Sequence, residues 1–320
     1  MIRTVVLLVA LLAPGLVRAA EPYPSKPIEF VTQSSVGGGG DVMARQIIEA
    51  TKDLIPQPMV VVNKPGAGGR NLENYVKDKK PDGHTLVVTT ATSILWYYTG
   101  ALTYSVNRDL EPIIRLQVEP NLVAVKGDSK WKTMEDLIAD AKAGKVTFGG
   151  GPIGGPEHLF FHKLARDHGF RLNYVAYGGG GEAGTSLLGG NIDATFLQAS
   201  ESLDHVRSGG IRYLAVASAK RVADIPELKD VPTLREQGVD FVFEHWRGIH
   251  APAGVPAEVV EYLHARFKQG SERESWKKWL TDTAQLGGYL NPSDFKAFTL
   301  EQDRLIEQIT TDAGLNKKKK

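Results

Sequence analysis

The chain of 320 residues is 42% apolar, carries 38 Lys+Arg against 37 Asp+Glu, and has no cysteine. That near-balance, without a basic stripe interleaved with aromatics, argues against nucleic acid as a partner. Lack of cysteine excludes disulfides, thiol nucleophiles and cysteine-linked lipid, so burial must carry stability, and ~300 residues suffice for two ordinary cores.

The first residues read as a removable export signal. Arg3 gives a positive start, residues 5–12 an apolar core, and Val17-Arg18-Ala19 a small-residue site, with cleavage expected after Ala19. The apolar run is too short for a permanent span, and no other stretch reaches ~18 apolar residues. A soluble periplasmic protein is expected, since an oxidising compartment permits disulfides without requiring them. The lysines from Lys317 to Lys320 read as a solvated end.

Strand-like and helix-like runs then alternate, which predicts a parallel α/β architecture. Strands are expected at 28–32, 59–63 and 86–90, with helices at 43–54 and 71–79. Further strands are expected at 122–125, 146–148, 174–177, 194–197 and 214–217, and further helices at 133–143, 157–168, 184–188 and 201–208. Thr133 followed by Asp136 makes a start resembling a capping box. The remainder, at 257–269, 273–281 and 294–309, is helical by its 3.6-residue spacing. Pro120 and residues 241–246 read as crossings between two lobes. Lobe one would comprise 20–119 plus 244–320, and lobe two 120–243, after a signal at 1–19.

Four strand-to-helix junctions are glycine-rich: 36–41, 63–69, 149–156 and 177–182. Without Cβ, backbone N–H groups there can approach a ligand closely. A helix N-terminus adds unpaired donors and partial positive charge, which suits an anion. Two lobes facing each other with such loops would clamp a carboxylate or phosphate, and ligands in open α/β sheets sit beyond the strands' carboxyl ends.

Other chemistries fit poorly. No loop has Gly-Lys-Ser/Thr at P-loop spacing. Gly149, Gly151 and Gly154 satisfy G-x-G-x-x-G, yet the acid expected about 20 positions on is missing. There is no G-x-S-x-G elbow. His158 and His162 are four apart on a helix but lack a third ligand placed by motif, so no metal and no cofactor is expected. The cluster Trp96-Tyr97-Tyr98 suits core packing first and a ligand wall second. Arg247 suits either a plain salt bridge or bidentate capture of a distal carboxylate.

With these residues in view, the chain resembles extracytoplasmic solute-binding proteins of the tripartite tricarboxylate transporter (Bug-type) family. The likeness runs through Tyr23-Pro24-Ser25-Lys26-Pro27-Ile28, the loop with Gly37, Gly38 and Asp41, Asn63-Lys64-Pro65-Gly66-Ala67-Gly68-Gly69 and Pro81-Asp82-Gly83-His84. It continues through Gly154-Gly155-Pro156-Glu157-His158-Leu159, Tyr177-Gly178-Gly179, Gly189-Gly190-Asn191-Ile192-Asp193 and Trp246-Arg247-Gly248-Ile249-His250-Ala251-Pro252. The resemblance implies a two-lobed Venus-flytrap protein without catalytic activity. It also implies that a small organic acid is captured and delivered to a pair of membrane permease subunits. The carboxylate would lie between residues 34–41 and 149–158, partly through ordered waters. Glycines Gly39, Gly40, Gly150, Gly151 and Gly155 stand where the family often has hydroxyl residues, and Gln33-Ser34 where a proline–aromatic pair is usual. Greater reliance on backbone amides and water follows.

The expected site is therefore Ser34, Ser35, Gly37, Gly38 and Asp41 in the first loop, with Thr90, Thr92 and Ser93 as hydroxyl donors. Gly154, Gly155 and His158 would form the second-lobe half, Tyr177, Gly178 and Gly179 the wall, and Arg247 the partner of a distal carboxylate. Gly38→Val is expected to block the backbone approach. The ligand class spans di- and tricarboxylates and aromatic acids, and the protein is expected as a monomer. The alternatives are a sensory protein presenting the same ligand to a receptor kinase, and an enzyme using the same cleft.

Overall fold

A computed structural model describes residues 22–318; residues 1–21, where the export signal is expected, and Lys319 and Lys320 lie outside the described residues. The β-branched runs form β1 (Ile28–Thr32), β2 (Met59–Asn63) and β3 (Thr85–Thr90). They pair in parallel as β2–β1–β3, with Ile28 opposite Met59 and Phe30 opposite Leu86. Helix α1 (Gly39–Thr51) follows β1 and buries Met43, Ala44 and Ile47. Helix α2 (Arg70–Val76) follows β2. Directly after β3 comes α3 (Ala91–Tyr98). Its cap is reciprocal: Thr90 Oγ1 accepts the Thr92 N–H at 3.1 Å, and Ser93 Oγ accepts the Thr90 N–H at 3.3 Å. The short α4 (Val106–Asp109) leads into β4 (Leu110–Lys126), 17 residues long.

The second half holds α5 (Met134–Lys142), β5 (Phe148–Gly150), α6 (Pro156–His168), β6 (Tyr174–Ala176) and α7 (Gly180–Leu188). Next come β7 (Ala194–Gln198), α8 (Ala199–Arg207) and β8 (Ile211–Val216). The chain returns along β9 (Glu244–Pro252), then α9 (Ala257–Ser271), α10 (Glu274–Asp282), β10 (Leu286–Leu290) and α11 (Pro292–Asp312). The sheet order is β2-β1-β3-β9-β4-β7-β5-β6, with β8 and β10 also on β4.

The architecture is α/β, but the sheet is mixed rather than parallel. Strand β9 runs antiparallel between β3 and β4, so the parallel sets β2–β1–β3 and β6–β5–β7 flank an antiparallel middle. Strand β4 ties the two ends together. It bonds β9 from Leu110 to Pro120, and from Asn121 onward β7 and β8. Its register slips near Pro112, as expected for a residue that cannot donate to the ladder.

Each end has its own core. Phe30, Met43, Ile47, Leu263 and Phe267 pack under β1 and α9. Leu122, Leu187, Leu197 and Val216 pack beneath α7 and α8. A third cluster joins Leu95 and Tyr98 of α3 to Phe148, Phe160, Phe196, Trp246 and Phe295.

Candidate binding site

A cavity of about 240 Å³ opens where β1, β3 and β7 end. The β1–α1 loop contributes Gln33, Ser34, Gly39 and Gly40; the β3–α3 junction contributes Thr90, Thr92 and Trp96. The β7–α8 junction adds Gln198, Ser200 and Glu201, and β9 adds His245 and Arg247. A larger groove of about 430 Å³ lies between Arg207, Glu227, Lys277 and Gln285, away from these strand ends.

The floor is a buried ion pair. Arg247 Nη1 donates to Glu119 Oε2 at 2.6 Å, and Nη2 donates to Gln198 Oε1 at 2.6 Å. Glu119, with 0% side-chain exposure, also accepts the Ser200 N–H at 3.1 Å. These bonds join β4, β9 and α8, so the pair braces the site from beneath. Gly39 touches the guanidinium: a Cβ there would lie 2.8 Å from Arg247 Cζ. Only glycine lets α1 begin against that group.

Acid surrounds this floor. Burial, followed by the nearby Glu119 charge, pushes the Glu201 carboxyl up to about 8. Burial alone pushes the Glu157 carboxyl up to about 7. Burial and the Arg247 charge hold the His245 imidazole far below its ordinary range, so it is neutral, and its Nδ1 has no hydrogen-bond partner.

The first glycine loop is held largely by itself. Buried Asp41 accepts the Gly37 N–H at 2.9 Å, two bonds from Arg45 and one from Asn63 Nδ2 at 3.0 Å. Burial would raise its carboxyl, but these donors outweigh burial and hold it below the ordinary value. Gly38 N–H donates to Ser35 O at 2.9 Å, and Gly40 N–H to Ser34 Oγ at 3.1 Å. Among the described residues the Gly39 N–H has no partner. The free approach thus falls at Gly39, one position after the expected Gly38.

Of the expected site residues, Ser34, Thr90, Thr92 and Arg247 line the cavity. Asp41, Gly37, Gly38 and Ser35 stand behind it and shape the loop. Ser93 serves the α3 cap. Gly154, Gly155, His158, Tyr177, Gly178 and Gly179 are not brought into this cavity. Gly155 N–H donates to Pro152 O at 2.9 Å, and Gly154 N–H to His158 Nδ1 at 3.4 Å. Gly178 N–H donates to Glu182 Oε2 at 2.9 Å, while the Tyr177 hydroxyl bonds Ser186 Oγ. The physical reason is internal competition: these amides are spent on the chain's own acceptors, a carbonyl, an imidazole and the Glu182 carboxylate, and Glu157 fills the space beside Gly151. A Cβ at Gly151 would lie 2.8 Å from Glu157 Oε2. Sequence reasoning passed over Gln198, Ser200, Glu201 and His245. The signal was present, because a strand at 194–197 and a helix from 201 already define a junction; it simply lacks glycine.

Residues 43–315 match the tripartite tricarboxylate transporter family receptor. The chain belongs to that family. Protein BugT of Bordetella pertussis is 30% identical over 263 residues, 80% of each chain. Among solved structures, a TctC solute binding protein from Polaromonas is 30% identical at a TM-score of 0.75, over 91% of this chain and 99% of that one. An R. palustris protein solved with adipate is 26% identical at a TM-score of 0.79, over 91% and 98%. This family receptor has the two-lobed fold of periplasmic solute-binding proteins. None of its helices among the described residues is long and apolar enough to cross a membrane.

Proposed function

We propose that this chain captures a small organic carboxylate in the cavity at the ends of β1, β3 and β7, and delivers it to membrane permease subunits. The observation that carries this reading is a set of unspent donors at one helix start. Gly39 presents an unpartnered N–H at the first turn of α1, beside the hydroxyls of Ser34, Thr90 and Thr92 and the side-chain amide of Gln198. Donors at a helix N-terminus suit an anion. The adipate carried by the R. palustris relative is of the same chemical class. Arg247 acts by bracing: both terminal nitrogens are engaged, so it holds the floor and lends positive potential. The lobes, 20–119 with 244–320 and 120–243, would hinge where β4 changes partners at Asn121 and where the chain returns through residues 241–246. Export by a leader cleaved after Ala19, and monomeric action, complete the proposal.

Titration calorimetry and thermal-shift measurements with mono-, di- and tricarboxylates test it. A ligand present at 100 times Kd adds about 2.7 kcal/mol of stability. Gly39→Val should abolish that gain, and because its Cβ would lie 2.8 Å from Arg247 Cζ it should also lower the melting temperature of the ligand-free chain, so the ligand-induced shift is read against the variant's own baseline. If no carboxylate raises the melting temperature of the parent chain, the reading is wrong.

A further inference from the structure

The glycines of the β2–α2 junction take no part in the carboxylate reading, and their geometry points elsewhere. Gly66, Gly68 and Gly69 all have positive φ, which folds this turn onto α3 and the chain just beyond it. At Gly69, with φ of +82°, a Cβ would lie 2.7 Å from Trp96 Cε3 and 2.8 Å from Trp96 Cζ3. Leu102 Cδ2 lies 3.2 Å from the same point, and the Leu102 N–H donates to Trp96 O at 3.0 Å. One edge of the indole is thus seated against backbone and a leucine. Trp96 also stands four residues after Thr92, and a helical side chain leans toward the N-terminus over that earlier residue. Both residues line the cavity.

The aromatic run Trp96-Tyr97-Tyr98 therefore divides. Tyr98 is buried in the core, and its hydroxyl donates to Asp303 Oδ2 at 2.9 Å. Tyr97 meets Tyr98 edge-on, with ring centroids 5.2 Å apart. Trp96 is half-buried and, among the described residues, is the one tryptophan with neither a ring nor a cation as partner. It is also the one large apolar side chain in a cavity otherwise lined by polar side chains and glycine.

We infer that Trp96 is the wall on which the ligand's body lies, so that this receptor takes a carboxylate carried on a flat, unsaturated ring. The inference rests on the carboxylate reading of the α1 end and narrows its substrate class. With the carboxylate at Gly39, the ring lies against the indole and both apolar surfaces leave water together. An aromatic ring is negative on its face and positive at its edge, so its rim suits the oxygens of Ser34, Thr92 and Ser200. A saturated ring of the same carbon count is more apolar but has no such edge. A flexible aliphatic chain loses rotor freedom on binding, whereas an indole already fixed by Gly69 and Leu102 loses little.

Calorimetry with benzoate and cyclohexanecarboxylate, rings of equal carbon count bearing one carboxylate each, decides the matter. Plain hydrophobic burial favours the saturated acid, whereas stacking on Trp96 favours benzoate, by at least about fivefold in Kd. Trp96→Phe keeps a ring and should keep most of that preference. Trp96→Leu keeps apolar bulk without a ring and should erase it, while cyclohexanecarboxylate still binds within about threefold of the parent. Benzoate should also change the tryptophan emission of the parent chain, and the change should vanish in Trp96→Phe, because the remaining tryptophans lie outside the cavity. The parent's ratio and emission test the inference even where a variant fails to fold. It is overturned if cyclohexanecarboxylate binds as tightly as benzoate or more so, if Trp96→Leu leaves the ratio unchanged, or if benzoate binds without altering the emission. Were succinate or adipate to bind and benzoate to fail, the carboxylate reading would stand without this one. Were no carboxylate to bind, both would fall.

Discussion

Replacing Arg247 by methionine tests the claim that the site is braced from beneath. The substitution keeps an apolar stem of similar length but removes the donors to Glu119 and Gln198. Glu119 has 0% side-chain exposure and would keep only the Ser200 N–H. Removing one member of a buried pair costs about 3–5 kcal/mol, because the remaining charge is uncompensated. At about 2–4 °C per kcal/mol for a chain of this size class, the melting temperature should fall by roughly 6–20 °C. The double variant Arg247→Met with Glu119→Gln removes the charge and should recover most of the loss. Urea unfolding of the single and double variants, followed by circular dichroism, reads both the loss and its recovery. A loss below about 1 kcal/mol in the single variant would refute the buried-brace reasoning. So would a double variant no more stable than the single.

Three further expectations follow from the same geometry. Asp41→Asn loses the ion pair with Arg45 and weakens the grip on Gly37, costing about 1–2 kcal/mol at neutral pH. Since the folded carboxyl sits below its ordinary value, this stability is present above the unfolded pKa and lost as pH falls, so parent and variant should converge in acid unfolding curves. Glu157 and Glu201 have the opposite sign. Raised to about 7 and about 8, they contribute relative stability at low pH that is lost as pH rises through those values. The melting temperature of Glu157→Gln should therefore depend less on pH across this window than the parent's, and an unchanged slope would contradict the buried-acid assignment. Thr90→Val removes a helix cap worth about 1 kcal/mol together with a cavity hydroxyl. Carboxylate affinity measured by calorimetry should drop alongside the melting temperature; a drop in stability alone would assign Thr90 to the cap only.

Local pattern carried the elements that local physics controls. The runs 28–32 and 59–63 became β1 and β2 at those bounds, and the Thr133–Asp136 cap formed as read, with Thr133 Oγ1 accepting the Asp136 N–H at 3.1 Å. The omissions share a cause in tertiary context. Strand β4 contains Pro112 and Pro120, residues that ordinarily argue against a long strand, and only pairing with β9 overrides them. Residues 241–246 read as a crossing, and the strand that begins within them, β9, went unread although it lies buried between β3 and β4. Helix α3 was hidden because Thr89, Thr90 and the aromatics beyond favour strands, while its cap uses Ser93 in place of the usual acid.

The glycine loops pointed to the strand ends where the cavity opens and overstated how many amides remain free there. Asp41, Glu182 and Glu201 each occupy the third position of a helix and accept an N–H from the turn before it: Gly37, Gly178 and Gln198 respectively. The partial positive charge that suits a ligand's anion suits these side chains equally. An acid already on the chain loses only rotamer freedom to bind there, whereas a dissolved acid gives up translation and rotation as well. The internal acid therefore wins wherever its spacing allows. A glycine loop followed by acid at that position should be read as closed, and a binding amide sought where the cap leaves one over. In the β1–α1 loop the amide left over is that of Gly39, whose backbone lies beside the Arg247 guanidinium where the cavity opens.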